Sequence, residues 1–295
     1  MASNREMQNR IRTVESIGQL TRALQAVSAS QVRVVRVLSE NTLPYTTLSW
    51  QVLTDLYHEQ EFYNQIRAFQ LPDVSKDVLI VFISADRGLA GSYPVNIFRE
   101  VNHLERKIQT KTKYITIGKK GRDMLQRRRK NIIADFSELS TATSFHDLKT
   151  VSEIVIDEFN QERVGQVYLV YTEYESISRF TPTTKRLLPF VDPFLGQLDE
   201  KEEKHIRKGG CIFEGDPQVI LKSLITRFIR MELFHAVTSS KASEHTMRML
   251  AMNQATENSE ELLQSLQLKY NKIRQENITK DILDIMGGSE VHSDE

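Results

Sequence analysis

Over the last quarter of the chain, apolar and polar positions alternate on a helical period. From Gln218 to Met286 the sequence runs 69 residues without a Gly or Pro. Steps of three and four pick out Leu221, Leu224, Phe228, Met231, His235, Thr238, Ala242, His245, Met249, Met252, Thr256, Ser259, Leu263, Leu266, Tyr270 and Ile273. None of these sixteen positions is formally charged with His neutral, where 26% charged residues would give about four by chance. A stripe this long exceeds what a small domain can cover, so the pattern predicts packing against another long helix. At about 1.5 Å per residue the rod would be roughly 105 Å long.

The N-terminus carries a second helical pattern. Met7, Ile11, Val14, Ile17, Leu20, Leu24 and Val27 follow steps of three and four, and Val34 and Leu38 extend them. Ser3 or Asn4 is the expected N-cap. Pro44 would kink or divide the helix, after which Leu48, Val52 and Leu56 resume it.

Between Leu71-Pro72 and Gly215 the texture changes. Val78 to Ile83 is an unbroken aliphatic and aromatic run, the pattern of a strand buried on both faces. Further strands are expected at 114–117, 132–136 and 167–171, alternating with helices at 95–108, 122–129 and 145–159. That alternation predicts a small, mostly parallel α/β domain. The piece from Ser176 to Gly215 holds Pro182, Pro189 and Pro193, and no structure is assigned to it. The domains are therefore expected at 1–60, 72–215 and 216–288, with a disordered tail at 289–295. Asp216-Pro217 and Gly287-Gly288 punctuate the terminal helix.

Two long helices anchored to one domain at their inner ends should form an antiparallel pair. The terminal one outlasts its mate by about 20 Å. That surplus carries Ile278, Ile282, Leu283, Ile285 and Met286, for which some other protein must supply cover.

Composition narrows the function. Thirty-nine basic and 39 acidic residues cancel, so nothing pulls the chain as a whole toward nucleic acid or acidic lipid. The one cysteine, Cys211, excludes an internal disulfide and a Cys-cluster metal site. No aliphatic run approaches the ~20 residues of a membrane span. The first residues lack the apolar core of a signal peptide, so membrane association is expected only through partners.

Candidate chemistry is sparse. The strand–turn–helix at Ser84–Ser92 invites phosphate, but it lacks glycine-rich phosphate-loop spacing, and Asp86 would repel the anion. Lys119, Lys120, Arg122, Arg127, Arg128, Arg129 and Lys130 form the densest basic cluster. Without interleaved aromatics it reads as a solvated face first and a dock for an acidic partner second. His235 and His245 read as packed polar positions rather than metal ligands. Ser239, Ser240, Ala242 and Ser243 are small enough to let two helices approach closely. No nucleophile–base–orienter set is recognisable, and no cofactor is expected.

Three blocks of the rod carry a family resemblance: Ser240–His245, Met249–Asn258 and Ile278–Gly288. With Arg10–Val14, Leu20–Val27 and the turn Ser84–Gly91, the chain resembles the gamma subunit of F-type, proton-transporting ATP synthases from end to end. It departs at Asp281, Ser289, Ala90 and Ser92, where that family usually has Glu, Ala, Cys and Gly. No chloroplast-type cysteine insertion is present.

The resemblance implies a rotor shaft: an antiparallel coiled coil carrying a Rossmann-like α/β domain. The shaft would stand inside a ring of alpha and beta subunits, above an epsilon-type subunit and the membrane ring of c subunits. Ion flow would turn it, and its asymmetric contacts would drive the catalytic beta subunits in sequence; this chain itself would catalyse nothing. By the same resemblance Arg274, Gln275 and Thr279 meet a beta-subunit loop as an intermittent latch. Leu24 and Val27 face the ring, and Ile282, Leu283, Ile285 and Met286 form an apolar bearing tip. The implied location is peripheral, on the cytoplasmic face of a bacterial membrane, with the matrix side of the mitochondrial inner membrane as the alternative. A rival reading is a nucleotide-binding α/β protein that uses its long helices only to dimerise. A cytoskeletal or adaptor coiled coil is a third.

Overall fold

A computed structural model of the chain describes residues 4–57, 75–137, 143–189 and 217–291. The elements run α1 (Asn4–Tyr57), β1 (Val78–Ile83), α2 (Tyr93–Lys107), β2 (Thr112–Ile117), α3 (Lys119–Arg127) and β3 (Asn131–Phe136). A 3-10 turn (His146–Leu148), α4 (Lys149–Asn160), β4 (Gln166–Ser176), β5 (Arg179–Leu188) and α5 (Pro217–Val291) follow. The chain divides into two compact units, residues 1–29 with 248–295 and residues 30–247.

The larger unit is built on a five-stranded sheet in the order β3-β2-β1-β4-β5. Its first four strands are parallel, as the alternation predicted, and β5 returns antiparallel beside β4. All six residues of central β1 are buried, because helices cover both of its faces. On one face Ile80, Phe82, Tyr114 and Val170 pack with Ile97, Phe98 and Val101 of α2 and Leu125 of α3. On the other, Leu79, Val81, Ile115, Val167 and Leu169 meet Val151 and Val155 of α4 and a long row from α5.

That row corrects one expectation. Leu221, Ile225, Phe228, Ile229, Leu233, Ala236 and Val237 belong to the sheet core, so the first third of α5 buries its stripe on strands. The hydrogen bonds between α5 and α1 lie in the later part, at Asn253, Thr256 and Tyr270. Ser239 and Ser240 likewise meet a strand: Tyr174 N–H donates to Ser239 Oγ at 2.7 Å and Thr172 N–H to Ser240 Oγ at 3.0 Å.

β5 went unassigned in the sequence because Pro182 and a run of threonines look like a loop. The strand is an edge, where a residue without an N–H is tolerated. Pro44 does not divide α1, which continues to Tyr57. Nor does α5 stop at Gly287-Gly288: it reaches Val291, a glycine inside a helix costing only about 1 kcal/mol. Residues 292–295 of the expected disordered tail lie outside the described residues, as does Ser3.

The smaller unit is an antiparallel helix pair. Gln8 meets Tyr270, Thr21 meets Thr256 and Gln25 meets Asn253, so one number falls as the other rises. The buried line on α1 is not the expected apolar stripe beyond Val14. It passes through Met7, Ile11 and Val14 and then through Gly18, Thr21 and Ser28. Ile17, Leu20 and Val27, which share the helical stripe with Met7 and Ile11, point outward and are exposed. The reason is that Gly18, Thr21, Gln25 and Ser28 are small or hydrogen-bonded, and small size and pairing do not register as hydropathy.

Candidate functional site

The helix pair presents three features. The first is its seam. The Thr21 and Thr256 hydroxyls lie 2.8 Å apart, and Gln25 Nε2 donates to Asn253 Oδ1 at 2.8 Å. Arg22 pairs with Glu260 on the rim, and a Cβ placed on Gly18 would lie 3.5 Å from that of Ser259. Buried hydroxyls and amides are tolerable only with partners, and here each supplies the other's.

The second is an outward apolar line on α1. Ile17, Leu20, Leu24 and Val27 recur at helical spacing on one side. Leu20 is 59% exposed and Leu24 is half-buried against the seam. Sequence reasoning placed all four on one helical stripe, and the family resemblance singled out Leu24 and Val27 from it.

The third is the far end of α5. Gln8 Nε2 donates to the Tyr270 hydroxyl at 2.7 Å, and α1 begins only one turn earlier, at Asn4. From Arg274 to Leu283 every residue of α5 is exposed. Arg274, Ile278 and Ile282 make one stripe at steps of four, and Gln275, Thr279 and Leu283 the adjacent one. Each stripe starts polar and ends apolar. Thr279 Oγ1 bonds its own helix, donating to the Gln275 carbonyl at 2.9 Å, which leaves the Arg274 and Gln275 side chains to reach outward. Leu283 is 62% exposed. The side chains of Ile285 and Met286 lie outside the described residues.

The larger unit holds polar clusters that sequence spacing could not reveal. Glu173 Oε1 is 3.2 Å from both His235 Nε2 and Ser239 Oγ, and the Tyr171 hydroxyl donates to its other oxygen. Burial opposes the Glu173 carboxylate, but the bonds from His235, Tyr171 and Ser239 outweigh it, so its pKa falls below the ordinary value. Burial next to Glu173 pushes the Tyr171 phenol well above its usual range. Lys185 Nζ reaches both oxygens of Glu232 at 2.8 and 2.9 Å, and Glu232 is 1% exposed. Lys241 donates to Thr143 Oγ1 at 3.0 Å, and burial lowers its pKa to about 8 against the pull of Asp86, Glu244 and Asp147. These groups tie α5 to the sheet and its loops.

The turn after β1 cannot cradle phosphate at the helix that follows β2. Asp86 Oδ1 accepts the Lys119 N–H at 3.1 Å, so a carboxylate already holds the N-terminus of α3. Ser84 Oγ accepts the Gly121 N–H at 2.7 Å, and a Cβ at Gly121 would fall 2.6 Å from the Phe82 ring. The turn is packed from within. Of the basic cluster, Arg122 pairs with Asp123 and Asp135. Among the described residues no group of His, Cys, Asp and Glu could hold a metal, and no helix is long and apolar enough to cross a membrane.

Comparison with known proteins agrees with this geometry. The protein family described as ATP synthase matches residues 3–291. The ATP synthase gamma chain of Roseiflexus castenholzii is 34% identical over 98% of both chains. That of Christiangramia forsetii is 35% identical, over 98% of this chain and 99% of its own. Among solved structures, the chain is similar to one in the rotor of the Euglena gracilis mitochondrial ATP synthase. There the TM-score is 0.65 at 20% identity, covering 93% of this chain and 98% of that one. A chain from the central stalk and c-ring of the Tetrahymena thermophila enzyme gives 0.61 at 22% identity, covering 80% and 99%. At such identities the structural likenesses speak for the fold.

Proposed function

This chain belongs to the ATP synthase gamma-chain family, a non-catalytic subunit of the central stalk, and we propose how it couples rotation to catalysis. The exposed end of α5 and the outward line on α1 are its working surfaces against a ring of alpha and beta subunits. As the shaft turns, Arg274 and Gln275 donate hydrogen bonds to carboxylates or carbonyls of one beta subunit at a time. A contact made in one orientation and broken in the next biases each subunit's conformational equilibrium by its differential affinity. Thr279 stands beside this latch, and Ile282, Leu283, Ile285 and Met286 run in an apolar bearing. Contacts without directional bonds let the tip turn at low cost.

The observation that carries this reading is the run of exposed residues beyond the last cross-helix bond, Gln8 to Tyr270. A helix stretch exposed at every residue from Arg274 to Leu283 offers that surface to a partner. The chain is part of the ATP synthase complex. In our reading an epsilon-type subunit and the c-ring hold the α/β unit, and the complex brings this chain to the cytoplasmic face of a bacterial membrane. The matrix side of the mitochondrial inner membrane is the alternative.

The test is the double substitution Arg274→Ala with Gln275→Ala in a complex reconstituted from this chain and separate alpha and beta subunits. ATP turnover should fall severalfold while circular dichroism of the chain stays unchanged. Undiminished turnover would remove the latch from the mechanism.

A further inference from the structure

We infer that the α/β unit carries an anion pocket for a phosphate-bearing ligand, at the end of the sheet opposite the Ser84–Ser92 turn. A cavity of about 720 Å³ opens where the second half of α2, the start of β2 and the end of α3 converge. Arg99, Arg106, Arg128, Lys130, His103 and Asn102 line it. Two of these six, Arg128 and Lys130, come from the basic cluster to which the rotor reading gives no task. The other four come from a different helix, α2, and only the fold brings the two groups together.

The charge in this pocket is poorly neutralised. Its carboxylate, Glu105, lies 2.7 Å from Lys130 Nζ and also accepts the Tyr114 hydroxyl, so one acid answers one base. Arg128 is held in place by neutral partners: Nη1 donates to Asn102 Oδ1 at 2.7 Å, and the guanidinium lies 4.4 Å over the Phe98 ring. Such contacts fix the direction of a guanidinium without cancelling its charge. Arg99 and Arg106 have neither ion pair nor hydrogen bond among the described residues. Helix C-termini attract cations, which accounts for Arg106 in the last turn of α2. It does not account for Arg99, nearly two turns earlier.

The turn that aims Arg128 and Lys130 contains Arg129 at φ 55°, a left-handed residue with a full side chain. Sequence alone would favour glycine there. The space exceeds a single carboxylate, and planar guanidinium forks match phosphate oxygens two at a time. A ligand with two or more charges on phosphate groups fits best, either a soluble phosphorylated molecule or the monoester headgroup of a lipid. This inference is independent of the latch, and its test involves no turnover.

The full chain would be titrated calorimetrically with inorganic pyrophosphate. It would also be floated with phosphatidylcholine vesicles, with and without phosphatidic acid. Saturable binding is expected to weaken about tenfold or more in Arg99→Ala with Arg106→Ala, the loss of a charge-assisted contact or two. Arg179→Ala, exposed on β5, should bind as the unaltered chain does. Pyrophosphate binding without a vesicle preference assigns the pocket to a soluble ligand. Binding to the doped vesicles alone assigns it to lipid. Absence of binding to both probes overturns the inference, as does binding that ignores the pocket substitutions or falls equally with Arg179→Ala.

Discussion

One helix, α5, is buried by two different methods. Between Leu221 and Val237 it lies on a sheet with a row of aliphatic and aromatic side chains, nearly all fully covered. Between Met252 and Leu266 it lies on a single helix, and the covered positions include Thr256 and half-covered Ser259. A sheet offers a broad floor, so apolar area does the work there. A lone helix covers only a narrow strip, so the contact relies on close approach and paired polar groups. The helix pair consequently leaves apolar residues outside, among them Leu20, Leu262 and Leu268.

The contrast can be broken most sharply at Phe228. Phe228→Ala empties a site in the sheet core and should destabilise the larger unit by about 4 kcal/mol. The urea midpoint checks this, and a loss below about 1 kcal/mol would contradict the broad-floor account. In the helix pair, Thr21→Val should cost only about 1 kcal/mol, since Thr256 Oγ1 keeps its bond to the Met252 carbonyl at 2.9 Å. Adding Thr256→Val should cost less than a second equal step, because both polar partners are then gone. Amide hydrogen exchange along 248–270 measures both variants, and strictly additive losses would deny that the hydroxyls pair.

The smallest effect is at Glu173. Its carboxyl pKa is lowered in the folded chain, so its contribution is complete above the ordinary carboxylate pKa. That contribution drains away as pH falls through the lower, folded value. Glu173→Gln should therefore flatten the acid side of the stability profile, while the neutral side keeps its slope. An unaltered acid limb in denaturation titrations would show that His235 and Ser239 do not hold the carboxylate.

Much of this was legible in the chain itself. The run Val78–Ile83 and the heptad stripe of α5 announce themselves by hydropathy, and the stripe stays covered or half-covered through Ile273. Arg274, Gln275 and Thr279 are singled out by the family resemblance alone; neither hydropathy nor helix length points to them. What escaped notice has physical causes. Gly18, Thr21 and Ser28 form a seam by size and hydrogen bonding, which a hydrophobic pattern misses. Pro182 hides an edge strand. Glu173 and His235, like Arg99 and Arg128, lie far apart in sequence, and only the sheet topology makes them neighbours.

The cross-bonds of the helix pair also limit how it can respond to load. Sliding one helix lengthwise past the other would leave Thr21, Gln25 and Gln8 opposite the wrong mates, each with a polar group to resolvate. The two helices are therefore pinned like plies of a laid rope, and a twist applied to one is borne by both.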